Sequence, residues 1–428
     1  MRTRYGVLAI FAIAALTLSG CTGDGGPADT PTPSQSGSIG NGTGIDPDTQ
    51  GSPVATSMLT TPQAVRASDG KWHLAYELLL TDVTPVPVRI DKVTVLDGVT
   101  HRALLDVSAA SMKADFTPLA GPVGDEGLED PTSSGGSTTM APSTTWILWL
   151  DVSVATRADV PTMLEHQVDG ALVPPVAGST PKTFTATVSR VKTNTATPTV
   201  LTSPVRAGDW YMSEGCCSDN THHRRGIAPV NGVLLVPQRF AIDFFKVDAD
   251  HRTWVGDPSQ LSSYLSYRQQ VIAAAPGTIV ARRDGLTNNA ALPEPPKVPP
   301  LDETVGNFVI EQIGPGEFVL YGHFDPGSVK VKVGQKVTRG QELGLIGTSG
   351  NSTTPHLHFQ ILTTPTFFPS DSVPFTFDQF DLLGTVPDRI WDDDLGLQKT
   401  GTLPFVPASP VGVHTKEMPL DRTVVRFK

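Results

Sequence analysis

Large apolar residues fall on every second position from Trp72 to Leu80, namely Trp72, Leu74, Tyr76, Leu78 and Leu80. Side chains of a strand alternate between two faces, so this spacing predicts a strand with one face in a core. Val88-Arg89-Ile90-Asp91-Lys92-Val93-Thr94-Val95 alternates too, but its phase slips at Asp91-Lys92, as a β-bulge would produce. Thr145–Val154 and Thr183–Val191 read as further strands, with turn residues between them. With 38 prolines, 40 glycines and few long amphipathic periods, the chain is expected to be mainly β.

The N-terminus predicts where the protein works. Arg2 and Arg4 precede an apolar run from Tyr5 to Leu18 that is short for a membrane span and suited to a secretory signal. The run ends in Leu18-Ser19-Gly20-Cys21, which resembles the lipobox of bacterial lipoproteins, where the cysteine is lipidated and becomes the mature N-terminus. From Cys21 to about residue 53 the chain is Gly, Ser, Thr, Pro and Asp with almost no large apolar residue. Such a stretch cannot offset its ordering entropy and is expected to be a tether. The expected location is therefore the cell membrane, on the extracytoplasmic face, through lipid on Cys21. A formal net charge of −11 argues against nucleic acid as a partner.

Two folded regions are expected after the tether, 54–204 and 205–428, with the signal over 1–20. The first has the pattern of a small antiparallel, immunoglobulin-like sandwich. Its histidines, His73, His101 and His166, are isolated in sequence and are expected to be surface or satisfied residues. The second region has strand patterns over Val233–Val236, Arg239–Val247, Gly277–Arg282, Asn307–Gln312 and Glu317–Tyr321. Two Gly-Gln turns follow, at Gly334-Gln335 and Gly340-Gln341, and the proline-rich run Pro293–Pro300 reads as a loop over one face. The tail from Pro374 carries no motif and is expected to wrap this region.

The most informative motif is Pro355-His356-Leu357-His358-Phe359. Its two histidines share one face of a strand, where they can bind a metal or move protons, while Leu357 and Phe359 turn to the core. Together with Gln238-Arg239-Phe240-Ala241-Ile242-Asp243, Tyr321-Gly322-His323, the Gly334 and Gly340 turns, and Gly347-Thr348-Ser349-Gly350-Asn351-Ser352, it resembles the lysostaphin-type zinc metallopeptidases, which cleave peptidoglycan. The resemblance spans about residues 234–362. It implies a compact antiparallel β domain of the duplicated-hybrid-motif type, a Zn2+ cofactor and a peptidoglycan or peptide substrate. It also implies Asp243 and His358 as zinc ligands and His323 and His356 as catalytic histidines.

The family's first zinc histidine falls on Arg239, and its following glycine on Ala241. If the strand begins at residue 239, Arg239 shares a face with Asp243. A guanidinium cannot ligate a cation and would form a bidentate pair with that carboxylate. Two readings follow. Either His222 or His223 completes the zinc site and the protein is a metalloendopeptidase, or the domain has lost its metal and binds or regulates at the wall. A carrier of lipoyl type, suggested by the Gly-Gln turns alone, conflicts with the wider constellation. Cys216 and Cys217, the remaining cysteines, are expected to form a vicinal disulfide or free thiols, or else to join His222 and His223 around a metal.

Overall fold

The computed structural model describes residues 50–113, 115–119, 137–174, 178–217, 221–291, 299–387 and 401–428. The signal, most of the tether, Cys21 and most of the Pro293–Pro300 run lie outside these residues. Gln50–Lys428 form one compact unit. Among the described residues, no helix is long and apolar enough to cross a membrane.

The N-terminal half holds two antiparallel sheets. One has the strand order Val54–Met58, Trp72–Asp82, Thr145–Val154, Phe116–Pro118, with Val65–Arg66 paired to Trp72–Asp82. The other runs Lys182–Lys192, Met163–Leu172, Val88–Asp97, Ala103–Ser108, with Thr139–Met140 paired to Val88–Asp97. Leu74, Tyr76, Leu78, Leu148 and Leu150 of the first sheet share an apolar core with Ile90, Val93, Val95, Leu164 and Val168 of the second. The expected phase slip is a register shift between Ile90 and Lys92 against Met163–Leu172.

The strands Trp72–Asp82 and Thr145–Val154 are buried on both faces. Their even-numbered residues fill the core between the two sheets. Their odd-numbered residues face the C-terminal half, where Leu79, Ile147 and Trp149 cluster with Val236. This second burial is why Leu79 and Glu77 sit among the apolar residues without disturbing the alternation.

The C-terminal half is built on an eleven-stranded sheet. Its order is Lys336–Val337, Gly277–Arg283, Phe308–Gly314, Glu317–Gly322, Leu357–Leu362, Ile242–Val247, Gly208–Ser213, Thr423–Phe427, Phe380–Thr385 and Val406–His414, with Ser372–Val373 paired to Leu357–Leu362. Phe240, Ile242, Phe244, Leu357 and Phe359 enter its main core. The C-terminal tail does more than wrap: Thr423–Phe427 is inserted between two strands of this sheet. One expected boundary is corrected. The strand starts at Ile242 and not at Arg239, because residues 237–240 form a turn in which Arg239 N donates to Val236 O and Ala241 N donates to Gln238 O.

A candidate metal centre at the middle of the sheet

Asp243 and His358 are cross-strand partners on neighbouring strands, and His358 is also opposite Gly322 on the next strand. Shared parity sends Asp243 and His358 to the same face. His358 Nδ1 lies 3.0 Å from Asp243 Oδ1. His356 enters one residue before its strand, with Nε2 3.4 Å from Asp243 Oδ2. His323 follows directly on the strand Glu317–Gly322 with φ +61°, and its ring centroid is 4.8 Å from that of His356 and 5.8 Å from that of His358. Gly322 makes room for this gathering, since a Cβ there would meet the Cβ of His358 at 3.3 Å.

The fourth histidine comes from upstream. Thr221 caps the single turn His222–Arg225 by accepting from Arg224 N at 3.1 Å. Successive residues of a helical turn point about 100° apart, so the two adjacent histidines face different ways. His223 is buried, with its Nε2 3.6 Å from Asp243 Oδ2 and its ring 4.9 Å from that of His358. His222 turns outward, its side chain 66% exposed beside Glu214.

Arg239 does not pair with Asp243, contrary to the expectation from strand parity. The turn before Ile242 takes it away from Asp243, and it binds Glu77 of the N-terminal half and Asp371. The position beside Asp243 is left to His223. Cys216 and Cys217 form a vicinal disulfide and do not join His222 and His223. Cys217 lies instead near His73 and Asp151. Both ring nitrogens of His73 are engaged there by carboxylates, with Nδ1 2.8 Å from Asp151 and Nε2 3.2 Å from Asp69. His166 is also buried and bonded, to Tyr76 Oη at 2.9 Å. His101 is a surface residue beside Glu165.

The tautomers of the central histidines follow from their outer partners. His223 Nδ1 donates to the carbonyls of Glu214 at 3.0 Å and Ala241 at 3.2 Å. His323 Nδ1 donates to Ser349 O at 2.7 Å, and His356 Nδ1 to Thr354 O at 2.8 Å. Gln360 Nε2 donates to Pro237 O at 2.7 Å, so its Oε1 faces His358 Nε2 at 2.8 Å and accepts from it. Carbonyl oxygens only accept, so each of these ring nitrogens carries the proton. The other nitrogen of each ring keeps its lone pair, and for His223, His356 and His358 that lone pair is aimed at Asp243.

Electrostatics favours this assignment. Burial pushes the His223 imidazolium down against the opposing pull of Asp243. Burial pushes His323 well below its ordinary range, helped by the neighbouring His356 and His358. A buried carboxylate ringed by imidazole lone pairs calls for a cation at their focus.

The donor set fits zinc. The ligand atoms of His223, Asp243 and His358 all lie within 4.8 Å of one another. Atoms about 2.0–2.2 Å from a tetrahedral zinc lie about 3.3–3.6 Å apart, and the two histidines approach Asp243 at 3.0 and 3.6 Å. Two histidines and a carboxylate are a familiar catalytic zinc set that leaves a fourth position open. Gln360 and the backbone carbonyls supply the outer contacts that orient such ligands. Gln360 was missed by sequence reasoning, although it continues the parity of His356 and His358.

Residues 264–368 match the profile of Peptidase family M23. The match takes in His323, His356 and His358 and stops short of His223 and Asp243. The peptidoglycan DD-endopeptidase ShyA of Vibrio cholerae serotype O1 is 44% identical over 57 residues, which are 13% of this chain and 13% of that protein. The chain therefore spans well under two thirds of this curated relative. Among solved structures, the catalytic domain of lysostaphin from Staphylococcus simulans is 24% identical, with a TM-score of 0.21 and coverage of 34% of this chain and 80% of that one. A zinc-containing peptidase from Vibrio cholerae is 12% identical, with a TM-score of 0.19 and coverage of 49% and 80%.

Proposed function

From a segment of the Peptidase family M23 at residues 264–368, we propose that this protein is a zinc metalloendopeptidase that cleaves peptide bonds of peptidoglycan. In this reading lipid on Cys21 holds it at the extracytoplasmic face of the cell membrane. The observation that carries the proposal is the convergence of His223, Asp243 and His358, with the proton of each histidine tied up on the side away from the carboxylate. The substrate class rests on the name of the Vibrio cholerae relative and on the location expected from the lipobox.

His223, Asp243 and His358 would hold the zinc, which when bound polarises a scissile carbonyl and lowers the pKa of a water toward neutrality. His356 and His323 each present a neutral Nε2 beside this position. His356 Nε2, 3.4 Å from the Asp243 carboxylate, is placed to take a proton from the attacking water. His323, held by Ser349 O, can accept a proton on Nε2 and then stabilise negative charge on the carbonyl oxygen. Phe245, whose ring centroid is 5.0 Å from that of His356, packs against that imidazole and fixes its plane.

The alternative of a metal-free wall-binding domain rested on Arg239 filling the ligand position. Its guanidinium is engaged by Glu77 and Asp371, which supports the peptidase reading over that alternative. The test is zinc analysis of the protein, followed by digestion of purified peptidoglycan and analysis of the released peptides. About one zinc per chain and zinc-dependent release of new amino termini are expected. A protein that cannot be loaded with zinc would overturn the peptidase reading.

A further inference from the structure

The outward face of Trp72–Asp82 packs against the C-terminal half mostly through apolar contacts, yet it carries one fully buried carboxylate. Glu77 Oε1 accepts from Arg224 Nη1 at 2.8 Å and from Arg239 Nε at 3.0 Å. Its Oε2 accepts from Arg239 Nε at 3.0 Å and Nη2 at 2.7 Å. Both guanidiniums are buried, Arg224 at 0% and Arg239 at 1% exposure. Arg224 also donates to Leu150 O at 3.2 Å, on the adjacent strand, and Arg239 binds Asp371.

These two arginines occupy special places in the chain. Arg224 directly follows His223. Arg239 lies in the turn that leads into the strand of Asp243. In the chain the two segments that carry these ligands are separated by the short hairpin Ala228–Val230 and Val233–Leu235, and His223 sits on a single helical turn. Glu77 ties both to one point. Burying an ion triad is costly, and apolar residues of similar volume often serve as well where only stability is needed. A triad retained at this spot has directional hydrogen bonds that an apolar contact lacks.

We propose that Glu77, from the N-terminal sheet, is a positioning residue for the metal site, setting the separation of His223 and Asp243 through Arg224 and Arg239. The N-terminal half then contributes to the site it does not line. This inference rests on reading His223, Asp243 and His358 as a metal centre.

The test is Co2+ and Zn2+ binding to the whole mature chain, unaltered and with Glu77→Asp, which keeps the charge but withdraws it by one methylene. The absorption bands of bound Co2+ report ligand geometry, and competition with a chelator reports affinity. Glu77→Asp is expected to lose at least about tenfold in metal affinity, as for loss of an outer contact to a ligand, and to shift the Co2+ bands. A role in stability alone would lower the melting temperature and leave the bands of the folded protein unmoved. Should Glu77→Asp fail to fold, Asp371→Asn decides, because Asp371 holds Arg239 from a partly exposed position (side chain 23% exposed). It is expected to lose about threefold, below the usual range for an outer contact, with a band shift of the same kind. Unchanged affinity and bands in the folded variant would overturn this inference alone. Failure of the unaltered chain to bind either metal would overturn it together with the metal centre.

Discussion

His223 Nε2 reaches to 3.6 Å of Asp243 Oδ2, from a single helical turn that belongs to no sheet. Its neighbour His222, identical in chemistry, points to solvent. His223→Ala is expected to lower zinc affinity by more than about a hundredfold, since even outer-contact losses cost up to that much. His222→Ala is expected to leave zinc content unchanged. Metal analysis after dialysis against a weak chelator separates the two, and equal retention by both variants would refute the assignment of His223.

Gln360 fixes the tautomer of His358 by accepting from its Nε2–H, and it is itself held by Pro237 O. Gln360→Leu removes the acceptor and leaves a buried N–H without a partner, which favours the tautomer that turns a proton toward Asp243. A loss of about 10–100-fold in zinc affinity is expected. Chelator competition measures it. A Gln360→Leu protein with unaltered affinity would show that His358 needs no such support.

Glu311 is buried and bonded to Tyr321 Oη at 2.7 Å, and burial pushes its carboxyl up to about 7 from an ordinary 4.5, against the Tyr321 hydrogen bond. A raised carboxyl favours the protonated folded state. Its contribution is therefore fully present below pH 4.5 and is lost as pH rises through 7. At about 1.36 kcal/mol per unit, the loss is at most about 3 kcal/mol. Glu311→Gln is expected to remove this dependence, so that the variant gains on the unaltered protein between pH 5 and 8. Urea unfolding at both pH values tests the slope, which a constant offset from the new amide does not affect. Parallel pH profiles would count against a strongly raised Glu311.

Lipid attachment at Cys21 is expected from the lipobox and the tether behind it. Cys21→Ser is expected to release the protein from the membrane fraction or leave its signal unprocessed. One acyl chain binds marginally and two bind firmly, so a stable membrane pool implies double acylation. Cell fractionation with mass analysis of the N-terminal peptide reads the result, and unchanged partitioning of Cys21→Ser would rule out the anchor.

Much of the architecture was legible in local pattern. The period-two alternation of Trp72–Leu80 and the phase slip at Asp91-Lys92 are consequences of strand geometry, which acts over a few residues and so leaves its mark in the chain. Parity fixed the face that Asp243 and His358 each occupy within its own strand, while their meeting followed from the resemblance to the peptidase family. The partner of Arg239 did not. Parity misled there because residues 237–240 turn before the strand begins, and strand parity does not carry through a turn. The choice of His223 over His222 depended on the direction of one capped helical turn, and Glu77 joined the site only through the packing of two separate sheets. By itself the sequence determined which faces are apolar and which residues can ligate. Only the tertiary structure decided which of those residues meet, because that depends on contacts between segments far apart in the chain, and no short-range period encodes them.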